Sequence, residues 1–345
     1  MRKEMTDING LSKAKRLSWF GPQNTISWAY MKAVREHFDN RKVYDCNPYV
    51  EVYQFRENVY GLFGQNCDGA GDFWMWLTVG PKKAFLLDTG YGLGDTKALV
   101  DEITGGMEVF VANSHDHFDH AFGNCRFDRV YCHEALVPLL EAQNEHMWDY
   151  LFNKETGENI WLQFDKEDLP VLRPYEIVGV PDGYKWDLGD GYEIELLNSG
   201  GHGGPGAAMY LDKQNKILFS GDNICSDIFG CGAVRQPIEE SSLYKYTQFM
   251  HRLIDTRIDD IDWVFPNHLM TDLENRVLYD MTDTLDLILE DPEHNYDYKI
   301  ESKSGTNAPV RVRYAKYIPG FSIIAYQLQD KAPEIVPAAI SALTK

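Results

Sequence analysis

The feature that most constrains this chain is a twelve-residue segment, Asn113-Ser-His-Asp-His-Phe-Asp-His-Ala-Phe-Gly-Asn124. Its core is His115-x-His117-x-Asp119-His120. Imidazole nitrogen and carboxylate oxygen are good ligands for Zn²⁺, Fe and Mn²⁺. The segment follows an apolar run, Glu108–Ala112, that reads as a strand. In a loop leaving a strand, residues i and i+2 can turn to one side, so His115 and His117 can grip one metal. A helical turn starting at Asp119 would direct Asp119 and His120 toward a second metal close by. With 10 His in 345 residues, the pattern is expected on the order of 10⁻³ times by chance in such a chain.

Further ligand candidates stand in similar settings. His202 lies in Asn198-Ser-Gly-Gly-His-Gly-Gly-Pro-Gly206, directly after a strand, where glycines let the backbone pass close to a metal centre. Asp222 ends Leu218-Phe-Ser-Gly-Asp222, and His268 ends Trp263-Val-Phe-Pro-Asn-His268. Each sits at the carboxyl end of a predicted strand, where open α/β structures collect ligands.

In this order, HxHxDH, then His, then Asp, then His, the series resembles that of the metallo-β-lactamase superfamily, over residues about 50–290. The version here is similar to the glyoxalase II and lactonase type. The best-known true lactamases carry Cys where this chain has Asp222. The resemblance implies an α/β fold, a four-layer αβ/βα sandwich, with an N-terminal extension and a helical insertion. It implies two divalent metal ions, zinc first, with manganese or iron as the alternatives. His115, His117 and His202 would hold one ion and Asp119, His120 and His268 the other, with Asp222 and a water or hydroxide bridging them. Asp88, in Leu87-Asp-Thr-Gly90, matches a position that orients a histidine ligand.

The implied chemistry is hydrolysis. A water shared by two cations loses a proton near neutral pH and attacks a carbonyl or phosphoryl centre, and the metals stabilise the developing oxyanion. Asp119 is the catalytic candidate, placed to orient the nucleophile and carry a proton to the leaving group. The expected activity is a metal-dependent hydrolase for a small carbonyl compound: an ester, thioester, lactone or cyclic ketone. Two alternatives are a mononuclear iron enzyme of the persulfide dioxygenase type and a non-enzymatic binding member of the fold.

Charge narrows the partners. With 33 Lys+Arg against 53 Asp+Glu the net charge is −20, which disfavours phosphate-mediated nucleic-acid binding and anionic membrane surfaces. A small-molecule substrate is the expected partner, and a homo-oligomer remains open. Hydrophobic residues at 44% and aromatics at 13% suffice for a packed core. No window approaches the roughly 20 apolar residues of a membrane helix, and Met1 to Leu17 lacks an apolar signal region. The six cysteines show no CxxC pair; reduced thiols and a cytoplasmic location are expected.

The organisation read from the chain is an N-terminal extension over 1–45, a metallo-β-lactamase-like domain over 46–330 with an insertion at about 140–190, and a tail over 331–345. Strands are predicted at Val50–Phe55, Val59–Phe63, Phe73–Val79, Ala84–Leu87, Tyr192–Leu197, Ala207–Leu211, Ile217–Phe219, Trp263–Phe265, Val310–Tyr317 and Phe321–Leu328. Helices are predicted at Trp28–Phe38, 95–104, 133–153, Ser241–Ile254 and Asp272–Glu290. The Gly64–Asp72 loop precedes the aromatic strand and flanks the expected site. Phe118 and Phe122 lie beside the ligands, and Trp148, Tyr150, Phe152 and Trp161 either line a helical cap or pack it onto the body. The motif leaves the substrate contacts unassigned. His133 reads as a capping residue, His37, His146, His251 and His294 as surface groups, and Cys225 as a small buried thiol. Trp19, Phe20, Trp28, Tyr314 and Tyr317 lie outside the motif region, where completing the sandwich, capping the site and forming a dimer contact are all open.

Overall fold

The computed structural model describes residues 13, 15–17, 25–67, 71–226, 228–235, 242–302 and 311–329. Trp19, Phe20 and the expected tail over 331–345 lie outside the described residues, as does the side chain of Trp28.

Strict alternation builds the centre of the molecule. In Phe73–Val79 the side chains of Trp74 and Trp76 face one core while Phe73, Met75 and Leu77 face another. Successive strand residues point to opposite faces, so a strand that is apolar throughout must be covered on both sides. The same division holds in Lys83–Leu87, where Phe85 and Leu87 point inward and Ala84 and Leu86 outward, and in Ile217–Gly221, where Ile217 and Phe219 oppose Leu218.

Two sheets share the inner core. The first has eight strands in the order Glu176–Val180, Arg129–His133, Glu108–Ala112, Lys83–Leu87, Phe73–Val79, Val59–Gly64, Asn47–Arg56, Lys42–Tyr44. The second has six, in the order Lys185–Asp187, Glu193–Asn198, Ala208–Asp212, Ile217–Gly221, Trp263–Pro266, Leu273–Glu274. Between them lies an aromatic layer. Trp74 and Trp76 stack at 5.4 Å between centroids, and Trp76 meets Phe265 of the opposite sheet at 4.8 Å. Rings of this size contribute both area and specific edge-to-face geometry.

The outer faces are covered differently. Helices Ser242–Arg257 and Arg276–Glu290 pack on the second sheet, together with a four-stranded sheet of Ile228–Arg235, Ser322–Gln329, Arg311–Ile318 and Tyr298–Ser302. On the first sheet lie helix Thr96–Thr104 and the segment Met147–Phe164. The layers run helix, sheet, sheet, helix, the α/β sandwich expected. Helix Thr25–His37 is tied to the first sheet by Arg35, whose guanidinium grips Glu51 at 3.0 and 3.1 Å; Glu51 also accepts from Tyr53.

Several local expectations need correction. The stretch 133–153 is broken into the end of a strand at His133, single turns over Glu134–Leu136 and Asp149–Leu151, and a five-residue helix, Val137–Glu141. The Asn144 carboxamide accepts the backbone N–H of His146, an Asx turn that competes with helix continuation. Trp148, Tyr150 and Phe152 are buried against the first sheet's outer face, so they pack the insertion onto the body. The last long helix begins at Arg276, because Asp272 has φ 57°, which a right-handed helix cannot accommodate; Leu273–Glu274 instead pairs with Trp263 and Val264. Strands Arg129–His133, Ile228–Arg235 and Tyr298–Ser302 were not anticipated. No helix among the described residues is long and apolar enough to cross a membrane.

Candidate metal centre

Register at the sheet ends explains why distant residues converge. Lys83–Leu87 and Glu108–Ala112 run parallel with Leu87 opposite Ala112, so Asp88 emerges beside Asn113 and Ser114. In the second sheet Ile217–Gly221 and Trp263–Pro266 run parallel with Gly221 opposite Pro266, so Asp222 emerges beside Asn267 and His268. Cross-sheet hydrogen bonds join the two rims: Ala208 N–H to Ser114 C=O at 2.9 Å, Tyr210 O–H to Asn113 C=O at 2.8 Å, and Asn267 Nδ2 to Asp88 Oδ2 at 2.6 Å.

Two glycines make the approach possible. Gly221 has φ 56° at a register shift in its strand, which turns Asp222 toward the rim. Gly203 has φ 78°, and a Cβ there would meet the Cβ of His115 at 2.7 Å. A side chain at either position would be strained.

The seven residues expected from the motif come together as two groups. His115, His117, His202 and Asp222 form one, and Asp119, His120 and His268 the other; within each group the potential ligand atoms lie within 4.8 Å of one another. Nitrogen–nitrogen distances are 3.2 Å for His117 Nδ1 to His202 Nε2 and 3.3 Å for His120 Nε2 to His268 Nε2. Ligands at about 2.0–2.1 Å from one tetrahedral ion stand about 3.3 Å apart. Asp222 faces both groups, with Oδ2 at 3.6 Å from His202 Nε2 and 3.2 Å from His268 Nε2, and Oδ1 at 3.3 Å from His120 Nε2. Asp119 lies 3.2 Å from His268 and 3.5 Å from His120.

Tautomers are set from behind. Asp88, with φ 64°, accepts from Ser114 N–H at 2.7 Å, Ser114 Oγ at 2.7 Å and His120 Nδ1 at 2.8 Å. Ser114 Oγ, its proton given to Asp88, accepts from His115 Nδ1 at 3.0 Å. His202 Nδ1 donates to Gly230 C=O and His268 Nδ1 to Asp72 C=O, both at 2.9 Å. Each arrangement protonates the rear nitrogen and turns the lone pair of Nε2 into the cluster, as a ligand requires. His115 Nε2 is buried and has no hydrogen-bond partner among the described residues. A buried acceptor left so costs about 1–3 kcal/mol, and a cation would satisfy it. The donor set therefore fits divalent ions.

The electrostatics agree. Burial, reinforced by His120 and His117, holds His115 well below the usual imidazole range. Burial and then His117 push His202 down to about 4. For His120 and His268 burial acts in the same direction, but the carboxylates of Asp222 and Asp119 outweigh it and raise both. Asp222 and Asp119 are lowered in turn, their burial outweighed by those imidazoles. The pocket draws positive charge, which ions can supply in place of protons.

The remaining expectations separate clearly. Asp88 lies behind His120, with Oδ2 2.8 Å from Nδ1. His133 accepts Ala135 N–H through Nδ1 as a cap, while His146, His251 and His294 pair with Asp149, Asp286 and Asp291 at the surface. Cys225 is buried in the outer core of the second sheet. The sequence reading missed Ser114, Asn267 and Asn66. The first two adjoin the motif histidines, a usable signal. Asn66 lies in the glycine-rich loop, with nothing in its spacing to mark it, yet its Nδ2 donates to Asp119 Oδ2 at 3.1 Å.

Two facing sheets gather seven His and Asp side chains at one rim, in two groups that could each hold a metal ion. A family model described as the metallo-beta-lactamase superfamily matches residues 70–268, and the chain belongs to that superfamily. It is similar to the acyl-coenzyme A thioesterase MBLAC2 of Homo sapiens, 26% identical over 211 residues, covering 57% of this chain and 73% of that protein. The MBLAC2 of Gallus gallus is 24% identical over 229 residues, covering 58% and 78%. Among solved structures, the alkylsulfatase Pisa1 from Pseudomonas sp. is 14% identical with a TM-score of 0.50, covering 83% of this chain and 51% of that one; it shows the fold.

Proposed function

We propose that the chain hydrolyses thioesters at a centre of two divalent ions, zinc first among the candidates. The observation that carries this reading is the pair of ligand groups sharing Asp222. Bound ions would act as Lewis acids and lower the pKa of a coordinated water. His115, His117 and His202 would hold one ion, Asp119, His120 and His268 the other, and Asp222 both. The choice of thioester among carbonyl compounds is supported by the name of the MBLAC2 relatives.

The chain's own residues supply the rest. Asp119, hydrogen-bonded to Asn66, faces the cluster through its carboxylate; there it would orient the attacking water and pass the water's proton to the departing sulfur. Water adds its oxygen to the carbonyl carbon, the C–S bond breaks, and the products are a carboxylic acid and a thiol. Beside His117, Phe118 packs with Tyr91 at 5.6 Å and Tyr150 at 5.7 Å, an apolar wall for an acyl group. The absence of a Cys-pair motif supports a reducing, cytoplasmic setting.

The test is metal analysis of the purified protein with turnover of thioesters, esters and lactones. His117→Ala and Asp222→Ala should each lower kcat/KM for a thioester at least 100-fold, with metal content reduced. Undiminished turnover after metal removal, or one iron per chain with oxygen uptake, would overturn the reading.

A further inference from the structure

The two ligand groups share Asp88, which holds His120 directly and His115 through Ser114, but differ in their other supports. In the first, His115 rests on Ser114 and His202 on the Gly230 carbonyl. In the second, His120 rests on Asp88, but the other two members are held by the loop after strand Val59–Gly64. Asp119 Oδ2 accepts the Asn66 amide at 3.1 Å, and His268 Nδ1 donates to the Asp72 carbonyl at 2.9 Å. Phe73 and His268 also form an isolated β-bridge.

Asn66 is itself fixed. It is fully buried, its Oδ1 accepts Tyr91 O–H at 2.8 Å, and its backbone N–H donates to Asp72 Oδ1 at 3.0 Å. That last bond ties the residue carrying the carboxamide to the residue whose carbonyl holds His268. With Oδ1 taken by a donor, the amide must present N–H to Asp119. That bond holds Asp119 Oδ2 as an acceptor, with Oδ1 turned toward His120 at 3.5 Å.

We propose that Asn66 is a positioning residue, and that through it the loop base governs the Asp119–His120–His268 group while leaving the His115–His117–His202 group independent. The proposal rests on the two-ion reading above.

Cobalt(II) titration of the metal-free full chain tests it, followed by absorption and by the paramagnetically shifted imidazole N–H signals in proton NMR. Asn66→Ala should weaken one of two cobalt dissociation constants roughly 10–100-fold, the usual scale for losing an outer partner of a ligand, and leave the other within twofold. At one equivalent the N–H signals of His115, His117 and His202 should remain and those of His120 and His268 should be missing. Tyr91→Phe, which frees the carboxamide without removing it, should shift the same constant by a smaller factor and serves if Asn66→Ala fails to fold. Equal weakening of both constants, no weakening, or loss of the first group's signals would overturn the proposal. Wild-type protein that takes up fewer than two cobalt ions would instead sink the two-ion reading.

Discussion

Asp88 combines a backbone strain with a chemical task. A non-glycine residue at φ 64° is costly and persists where the surroundings over-determine it. Here four donors converge on one carboxylate: Ser114 twice, His120 and Asn267. Asp88→Asn keeps a side chain that tolerates this backbone but turns one acceptor into a donor facing donors. We expect metal affinity to fall roughly 10–100-fold, read as metal retained after dialysis against a weak chelator. His202 gives a pH signature. Its folded pKa of about 4 lies below its unfolded value of about 6.5. Between those values the unfolded chain binds the proton and the folded one does not, so this group's contribution to stability falls as pH falls through that window. In chelator-treated protein, His202→Gln should lose less stability than wild type between pH 6.5 and 4, measured by urea unfolding at each pH.

At the scale of elements, the helix Thr25–His37 is held by a buried ion pair. Glu51 is 3% exposed and Arg35 18%. Removing Arg35 leaves a carboxylate buried without its counter-charge, which costs about 3–5 kcal/mol; Arg35→Ala should lower the urea midpoint accordingly without changing metal content. Trp76→Ala should cost about 3–5 kcal/mol through the cavity it opens in the inner aromatic layer, read in the same assay. The strands that could be read in advance are those like Phe73–Val79 and Ile217–Gly221, whose apolar residues form continuous bounded runs. Ile228–Arg235 escaped because Gly230 and Gly232 interrupt its pattern, and Arg129–His133 because only Val130 and Tyr131 in it are strong strand formers. The metal residues were legible because motif spacing is local and each later ligand ends a strand. Asn66 was not, since its role exists only when the loop closes on Asp72 and Tyr91.

For the whole molecule, the net charge of −20 surrounds a pocket that draws cations. Long-range repulsion between like charges is screened by salt over about 10 Å at 0.1 M. For a polyanionic thioester such as an acyl-coenzyme A, kcat/KM should rise with added salt, whereas a neutral thioester should show little change. Steady-state rates at increasing potassium chloride check this, and a flat response for the anionic substrate would place the surplus acid away from the approach path.

The split of the ligands between the two sheets also bears on how the protein is made. The first 120 residues of the chain bring only His115, His117, Asp119 and His120, two for each group. One group is incomplete until His202 and Asp222 have been synthesised, and the other until His268. During translation the growing chain therefore offers no finished cage in which an adventitious ion could be trapped early. Neither donor set is complete until the second sheet has formed and docked on the first, so a full complement of ligand atoms would report completed assembly.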